Sequence, residues 1–313
     1  GQVFTVNNSK KILITGSNGY LGRALYKDLD DLGHELLGSV QTTNKFVSGQ
    51  NNISVGPLDK ETNWENALSD CNTIIHLASR THILKETYNN PADEFRRVNT
   101  EGIENLAVQA VRFGVKKFIF ISSIGVYGSS TGSSPVSIHS DFNPISPYAQ
   151  SKLDSELILR DVAKGSSMEI VIIRPPAIYG KGAPGNLGLI ESLVKKDLFL
   201  PFGSLNNSRH MIYLHNLTSF ISFCVNNNVV NGKDLLIDDG YALSTKQVAT
   251  IIANLSSKRI RLLNIPPAIL KLFLYCIGKS NFEESLIKDY LIDSSYTNEL
   301  TGWLPPFSPS SFL

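Results

Sequence analysis

Short apolar runs alternate along the first half of the chain with segments in which leucine, isoleucine and valine recur every third or fourth position. Residues 11–15 form one such run and end on glycine, which predicts a strand buried on both faces. Leu21, Leu25 and Leu29 then repeat at helical spacing up to a stop at Gly33, so the opening unit reads as strand, glycine turn and helix. The alternation continues with strands at 35–40 and 53–55, a short helix around 64–68 and a strand at 73–78. Phe95, Val98, Ile103, Leu106, Val108 and Val111 predict a long helix ending near Gly114. A strand at 117–123, a helix that holds Tyr148, Leu153, Leu157 and Ile158, and a strand at 169–173 complete the series. Repeated strand and helix units specify an α/β fold with a doubly wound parallel sheet, whose ligands sit at the carboxyl ends of the strands.

Beyond Arg174-Pro175-Pro176 the rhythm breaks into shorter, loop-rich elements. Asp238-Asp239-Gly240 reads as a turn, and Ser244 with Gln247 as the capping box of a helix through Ile252. The break predicts residues 10–175 as the sheet domain and 176–313 as a smaller mixed α/β lobe, with some segments returning to the first domain. Residues 265–277 form an apolar run interrupted by Lys271, shorter than the ~20 residues a membrane span needs, so no transmembrane segment is expected. The run reads as a packed helix with proline in its first turn, a membrane-surface or partner-docking face being the alternative. Residues 1–9 read as a polar terminus or an expression remnant.

At 313 residues the chain exceeds the size at which one core usually stops growing, in keeping with a second lobe. Its 42% hydrophobic and 18% charged residues describe a globular protein, not a disordered or fibrous one. A net charge of +1 offers no field for nucleic acid or acidic membranes, so neither partner is expected. Cys71, Cys224 and Cys276 lie far apart in apolar surroundings with no CxxC or Cys/His cluster. No metal site is expected, and all three read as buried thiols of a reducing, cytoplasmic compartment. The acceptor-like triplets beginning at Asn7, Asn216 and Asn254 read as chance matches.

Chemistry enters with two patterns. Gly16, Gly19 and Gly22 stand between the first strand and helix, where missing side chains let backbone amides reach a phosphate at the positive end of the helix. The spacing is GxxGxxG, a partial match to the dinucleotide fingerprint GxGxxG. The acidic residue that would hold a ribose 2′-hydroxyl about 20 residues on is missing, and Ser39-Val40-Gln41 stands in its place. A carboxylate there would repel a 2′-phosphate, so NAD and NADP both remain open. Lys45 and Arg23 are the nearby cations, and both read first as solvated surface residues. Tyr148 and Lys152, four apart, project from one helix face, where an ammonium favours the phenolate of a group that otherwise titrates near ~10.

Gly16-x-x-Gly19-x-x-Gly22, Ser122-Ser123 at a strand end and Tyr148-x-x-x-Lys152 occur in the order and at the distances of the extended short-chain dehydrogenase/reductases. The chain resembles in particular their nucleotide-sugar epimerases and dehydratases, from about Lys11 to Pro305 and most densely to Gly180. The resemblance implies a Rossmann-like fold with a smaller substrate lobe. It makes Tyr148 the acid/base, Lys152 its electrostatic partner and anchor for the nicotinamide ribose, and Ser123 the partner of the reacting sugar oxygen. It assigns Gly16, Asn18, Gly19, Tyr20 and Leu21 to the cofactor turn, Leu58 to an adenine pocket, and Leu77, Ala78 and Ser79 to the dinucleotide-lining strand. Asn99 becomes the support of the active-site helix, and Pro175 and Ile178 flank the nicotinamide. His76 reads better as a core histidine satisfied by backbone. Asn186, Leu187, Leu200, Phe202 and Arg209 resemble the segments that hold the nucleotide and its diphosphate, although the family's second diphosphate arginine has no clear counterpart. Gly302-Trp303-Leu304-Pro305 resembles the closing tail. A homodimer through the helices at 92–113 and 148–163 is implied by the resemblance alone.

The resemblance implies NAD(P)-dependent hydride transfer at a carbon of a UDP-linked sugar. Dehydratases of the family carry an Asp-Glu pair after the catalytic Ser or Thr, where this chain has Ile124 and Gly125, so dehydration is not expected. The leading expectation is a nucleotide-sugar C4 epimerase. An NADPH-dependent reductase of a UDP-4-keto-6-deoxy-sugar is the alternative, and a non-catalytic nucleotide-sensing or scaffold protein on the same fold is the reading from another class.

Overall fold

The computed structural model describes residues 11–78, 97–132, 134–276 and 281–313. The chain divides into two compact units, and the break in the middle falls between Ile173 and Arg174. The first unit holds the described residues up to Val126 together with Ser146–Ile173 and Ile221–Asp234. The second holds Tyr127–Ile145, Arg174–Phe220 and Leu235–Leu313.

Seven strands form the main sheet: β1 (Lys11–Thr15), β2 (Leu36–Val40), β3 (Asn52–Ser54), β4 (Cys71–His76), β5 (Lys117–Ile121), β6 (Glu169–Arg174) and β7 (Asp234–Leu236). Their order is β7-β6-β5-β4-β1-β2-β3, and each pairing from β3 to β6 is parallel. This is the Rossmann-like doubly wound sheet expected from the sequence. The chain leaves β1 in one direction through β2 and β3, then returns to lay β4 on the other side of β1. The order reverses at that point, and the carboxyl ends of β1 and β4 border the crevice such sheets use for ligands.

Strands and helices follow from their side chains. Ile12, Leu13 and Ile14 of β1 are fully buried, as are Phe118 and Ile119 of β5, which is why these strands read as unbroken apolar runs. Helix α1 (Tyr20–Asp31) buries Leu25, Tyr26 and Leu29 on one stripe. The short α2 (Glu65–Leu68), α3 (Gly102–Arg112) and α4 (Pro147–Ala163) add Leu68, Ile103, Leu106 and Leu159 to a core that contains Leu13, Ile74, Phe118 and Ile170 of the sheet. Each such side chain contributes roughly 1.5–3 kcal/mol on leaving water. Of the long helix expected to end near Gly114, Phe95 lies outside the described residues, Arg97–Glu101 winds as a π-helical turn, and Gly102–Arg112 is regular α-helix.

The second unit packs α5 (Gly185–Lys195) and α7 (Thr245–Leu255) around Tyr179, Ile190, Leu200, Phe202, Val248 and Ile252. Between them α6 (Leu214–Asn226) starts in the second unit and ends in the first. The capping box is present: Gln247 N–H donates to Ser244 Oγ at 3.2 Å, and Ser244 N–H to Gln247 Oε1 at 2.8 Å. Asp238 and Asp239 are buried rather than displayed on a turn. Asp239 accepts from Tyr179 Oη, Asn216 Nδ2 and Tyr213 N–H, and burial pushes its carboxyl up to about 6.

Two expectations need correction. The run at 265–277 does form a helix, α8 (Pro267–Cys276), but it is not packed. Leu270 alone is buried in it, whereas Ile269, Leu272, Phe273 and Tyr275 are exposed. Its apolar residues, interrupted by Lys271, occupy more sides of the helix than a single contact face covers. Cys276 ends this helix and is exposed with it, while Cys71 and Cys224 are buried as expected. The helix α9 (Asn281–Leu286) follows, with Lys271 of α8 3.2 Å from Glu283. Among the described residues no helix is long and apolar enough to cross a membrane.

Candidate active site

The first unit brings the glycine turn, the ends of β4 and β5 and the start of α4 together around the crevice. Gly16 has φ +70, and a Cβ there would lie 2.9 Å from the Ala78 backbone, so the turn needs glycine for its conformation and for its closeness to the end of β4. Gly19 N–H donates to Gly16 O at 3.0 Å, and a Cβ on Gly22 would sit 2.2 Å from the same carbonyl. Gly19 caps α1 without a side chain, and the first turn of α1 holds no acidic residue. Asn18 is half-buried with its carbonyl accepting from Arg23 Nε, and Tyr20 and Leu21 begin the helix. The first N–H groups of α1, at Tyr20 and Leu21, stand at a helix N-terminus beside a turn with little room for side chains, which fits the pyrophosphate of a dinucleotide.

Thr15, the last residue of β1, fastens this turn to β4. Its Oγ1 accepts from Leu77 N–H and Ala78 N–H, both at 3.2 Å, and lies 2.8 Å from His76 Nδ1. With both lone pairs engaged, the hydroxyl proton goes to Nδ1, which leaves the imidazole proton on Nε2. His76 is buried against Phe118 and Phe120, and burial, aided by the Lys152 charge, pushes it down to about 3. It is a neutral core histidine at physiological pH, satisfied by a side chain and not by backbone. Ser79 lies outside the described residues. Leu58 is buried in the core of this unit.

Helix α4 starts where the chemistry needs it to. Ser146 caps it by accepting from Ala149 N–H, and Pro147 fills the first position, where its missing N–H costs nothing. Tyr148 therefore stands in the first turn, and Lys152 one turn later on the same face. Lys152 is 3% exposed; its Nζ donates to Ile121 O at 2.8 Å, lies 4.7 Å from the centre of the Phe120 ring and 5.7 Å from that of Tyr148. Burial pushes its ammonium down to about 7, against which the nearby Glu156 acts to raise it. At the end of β5, Ser123 is half-buried and its Oγ accepts from Gly125 N–H at 3.0 Å. Ser122 points elsewhere, donating to the buried Glu156 Oε1 at 2.5 Å. Asn99 in the π-helical turn donates to Ser151 Oγ at 3.1 Å, Ser151 donates to Tyr148 O, and Ser155 donates back to Asn99 O. The roles of Thr15, Ser151, Ser155 and Glu156 escaped the sequence. Only Glu156 left a trace there, as an acid one turn beyond Lys152 on the same face.

The remaining expected residues lie in the second unit. Pro175 precedes the short strand Ile178–Tyr179, which Ile178 opens and which pairs with Ile212–Tyr213. Asn186 Nδ2 donates to Ser285 Oγ at 2.6 Å, and Leu187 is half-buried. Leu200 and Phe202 differ from surface contacts in that both side chains are buried in the core of this unit. Arg209 Nη1 donates to Glu284 O at 2.8 Å and Lys288 O at 2.6 Å, with burial lowering its proton affinity. The Lys288 ammonium pairs with Glu284 Oε1.

Comparison with known proteins agrees with the fold. The NAD dependent epimerase/dehydratase family matches residues 12–237. A UDP-glucose 4-epimerase of Vibrio cholerae is 35% identical over 301 residues, covering 95% of this chain and 91% of its own. Among solved structures, MoeE5 in complex with UDP-glucuronic acid and NAD superposes with a TM-score of 0.75 at 19% identity, covering 95% of this chain and 94% of its own. The UDP-glucuronic acid 4-epimerase of Bacillus cereus in complex with NAD does so with a TM-score of 0.73 at 20% identity, covering 96% and 95%. The chain belongs to the NAD dependent epimerase/dehydratase family.

Proposed function

We propose that the protein is an NAD(P)-dependent C4 epimerase of a UDP-linked sugar. The observation that carries this reading is the seat of Lys152, buried beside the Tyr148 ring with its ammonium anchored on Ile121 O. The N-terminal amides of α1 would hold the cofactor's pyrophosphate, with Gly16, Gly19 and Ala78 letting it approach closely, and Lys152 would hold its nicotinamide ribose. Bound there, the nicotinamide would supply the redox chemistry, as acceptor and then donor of a hydride at the sugar carbon. Tyr148 Oη removes the proton of the 4-hydroxyl as the hydride leaves and returns it when the hydride comes back to the other face. The ammonium of Lys152 lowers the cost of the phenolate. Ser123 Oγ orients the sugar oxygen. Ile124 and Gly125 carry no proton to transfer, so elimination of water has no acid or base at that place.

One observation favours a second reading, an NADPH-dependent reductase of a UDP-4-keto-6-deoxy-sugar. Ser39 and Val40 at the end of β2 are buried, and Lys45 reaches back to Gln41 Oε1 at 3.1 Å, so no carboxylate stands there to repel a 2′-phosphate. Incubation with UDP-sugars followed by proton NMR separates the two. Interconversion of C4 epimers without net cofactor consumption is expected; stoichiometric NADPH oxidation with a 4-keto sugar, and no exchange at C4, would establish the reductase instead.

A further inference from the structure

The second unit carries an apolar face that its own core does not use. In α8, Ile269, Leu272, Phe273 and Tyr275 are exposed, Leu272 by 64% and Tyr275 by 76%. The chain reaches α8 from the short strand Arg261–Leu262, which pairs with Phe199–Leu200, and Leu198 and Phe199 are exposed as well, Phe199 by 56%. Four large apolar side chains facing water on one ten-residue helix, with Leu198 and Phe199 exposed in and beside the strand paired with Arg261–Leu262, exceed the scattered singles of an ordinary surface.

The charges of these segments are one-sided. From Tyr241 to Cys276 there is no aspartate or glutamate, while Lys246, Lys258, Arg259, Arg261 and Lys271 are present in a chain whose overall net charge is only +1. Lys195 and Lys196 are exposed just before Leu198 and Phe199. Three of these cations have acidic partners: Arg261 with Asp197 at 2.6 Å, Lys271 with Glu283 at 3.2 Å and Lys195 with Glu191 at 2.6 Å. The surplus is carried by the exposed Lys196, Lys246, Lys258 and Arg259. Arg261 lies over the Phe199 ring, 5.5 Å from its centre, so guanidinium and exposed aromatic ring form one amphipathic patch.

We propose that this face rests on an anionic lipid bilayer, with the apolar side of α8 and Phe199 in the headgroup and acyl boundary and the cations against lipid phosphates. Exposed aliphatic and aromatic side chains bordered by lysine and arginine are the composition of an interfacial element, and each basic residue near such a surface adds to the attraction. A second copy of the chain is the poorer occupant. A two-fold contact would set the same surplus cations against one another, and like charges across an interface cost affinity.

The test is sedimentation of the full-length protein with vesicles of phosphatidylcholine alone and with about one third phosphatidylglycerol. Binding to the anionic vesicles, weakened at high salt and at least tenfold weaker for the double variant Leu272→Glu/Phe273→Glu, is the expected result. Both positions are solvent-exposed, so the variant keeps its fold, which its circular dichroism and thermal midpoint verify. Cys276 closes α8 and is exposed while Cys71 and Cys224 are buried, so it accepts an environment-sensitive fluorophore selectively. A blue shift of that label on anionic vesicles is expected of the wild type. The proposal is overturned if the protein stays in the supernatant, if the double variant binds as tightly as the wild type, or if the variant lowers the molecular mass in the absence of lipid. The last outcome would give the face to a second copy.

Discussion

Tyr148 and Lys152 were legible because residue type and spacing alone put a phenol and an ammonium on one helix face. Their setting was not. Thr15 orders the turn through His76, a partner 61 positions away, and no local pattern announces such a pair. Arg209 was likewise recognisable as a cation suited to phosphate, yet its carbonyl partners at 284 and 288 follow only from tertiary structure. Replacing Tyr148 by Phe removes one hydroxyl and no packing, so turnover should fall by about 10²–10⁴-fold with cofactor affinity kept. Retained turnover in a steady-state assay would eliminate the mechanism. Lys152 gives a second expectation, with a sign fixed by linkage. Burial holds its folded pKa at about 7, below the usual lysine value of about 10.4, and so favours the neutral amine. The stability it contributes is full above the unfolded value and is lost as pH falls through about 7. Relative to Lys152→Met, the cofactor-free wild type should therefore gain about 1.4 kcal/mol per pH unit on going from 7 toward 10. Urea denaturation at several pH values measures this, and parallel curves for the two proteins would contradict a buried, depressed lysine.

At the scale of elements, the sheet was readable because its inner strands are buried on both faces and cannot hide their apolar character. The π-helical turn at 97–101 was not, because a one-residue change in winding leaves hydrophobic periodicity almost intact. Helix α8 was misjudged for a related reason: hydropathy says that a segment is apolar, not whether a neighbour exists to cover it. The glycine turn permits a sharp test. Alanine at 22 would place its Cβ 2.2 Å from Gly16 O and 2.8 Å from Ser17 Cα, both backbone atoms that cannot swing aside. Gly22→Ala should abolish detectable cofactor binding and lower the thermal midpoint, whereas alanine at the solvent-facing Gly33 reports only the strain of its φ of +80. Binding followed by quenching of intrinsic fluorescence decides it. In the core, Phe118→Ala should cost about 3–5 kcal/mol, since Phe118 is fully buried between Ile74 and Ile170 on the face packed by α3 and α4. A loss under 1 kcal/mol in chemical denaturation would mean that the site collapses around the deletion.

For the whole molecule, composition proved a blunt guide. A net charge of +1 argued against any membrane field, yet counting charges within 241–276 shows an asymmetry that the total conceals. The association state is where sequence resemblance and surface meet. Helices α3 and α4 pack on the sheet with one side and leave Val108, Phe113 and Leu157 exposed on the other, Leu157 by 59%. A leucine so exposed in the middle of a seventeen-residue helix contributes little to the monomer, and its burial against a two-fold related copy would return roughly 1.5–3 kcal/mol per side chain. The surface is thus suited to a four-helix contact formed by α3 and α4 of two copies. Leu157→Glu would set two carboxylates near the symmetry axis while leaving the monomer fold untouched, because the side chain already faces water. Light scattering should give a dimer for the wild type and a monomer for Leu157→Glu with an unchanged circular dichroism spectrum. A wild type that is monomeric at micromolar concentration, or a variant that remains dimeric, would place the association elsewhere or remove it.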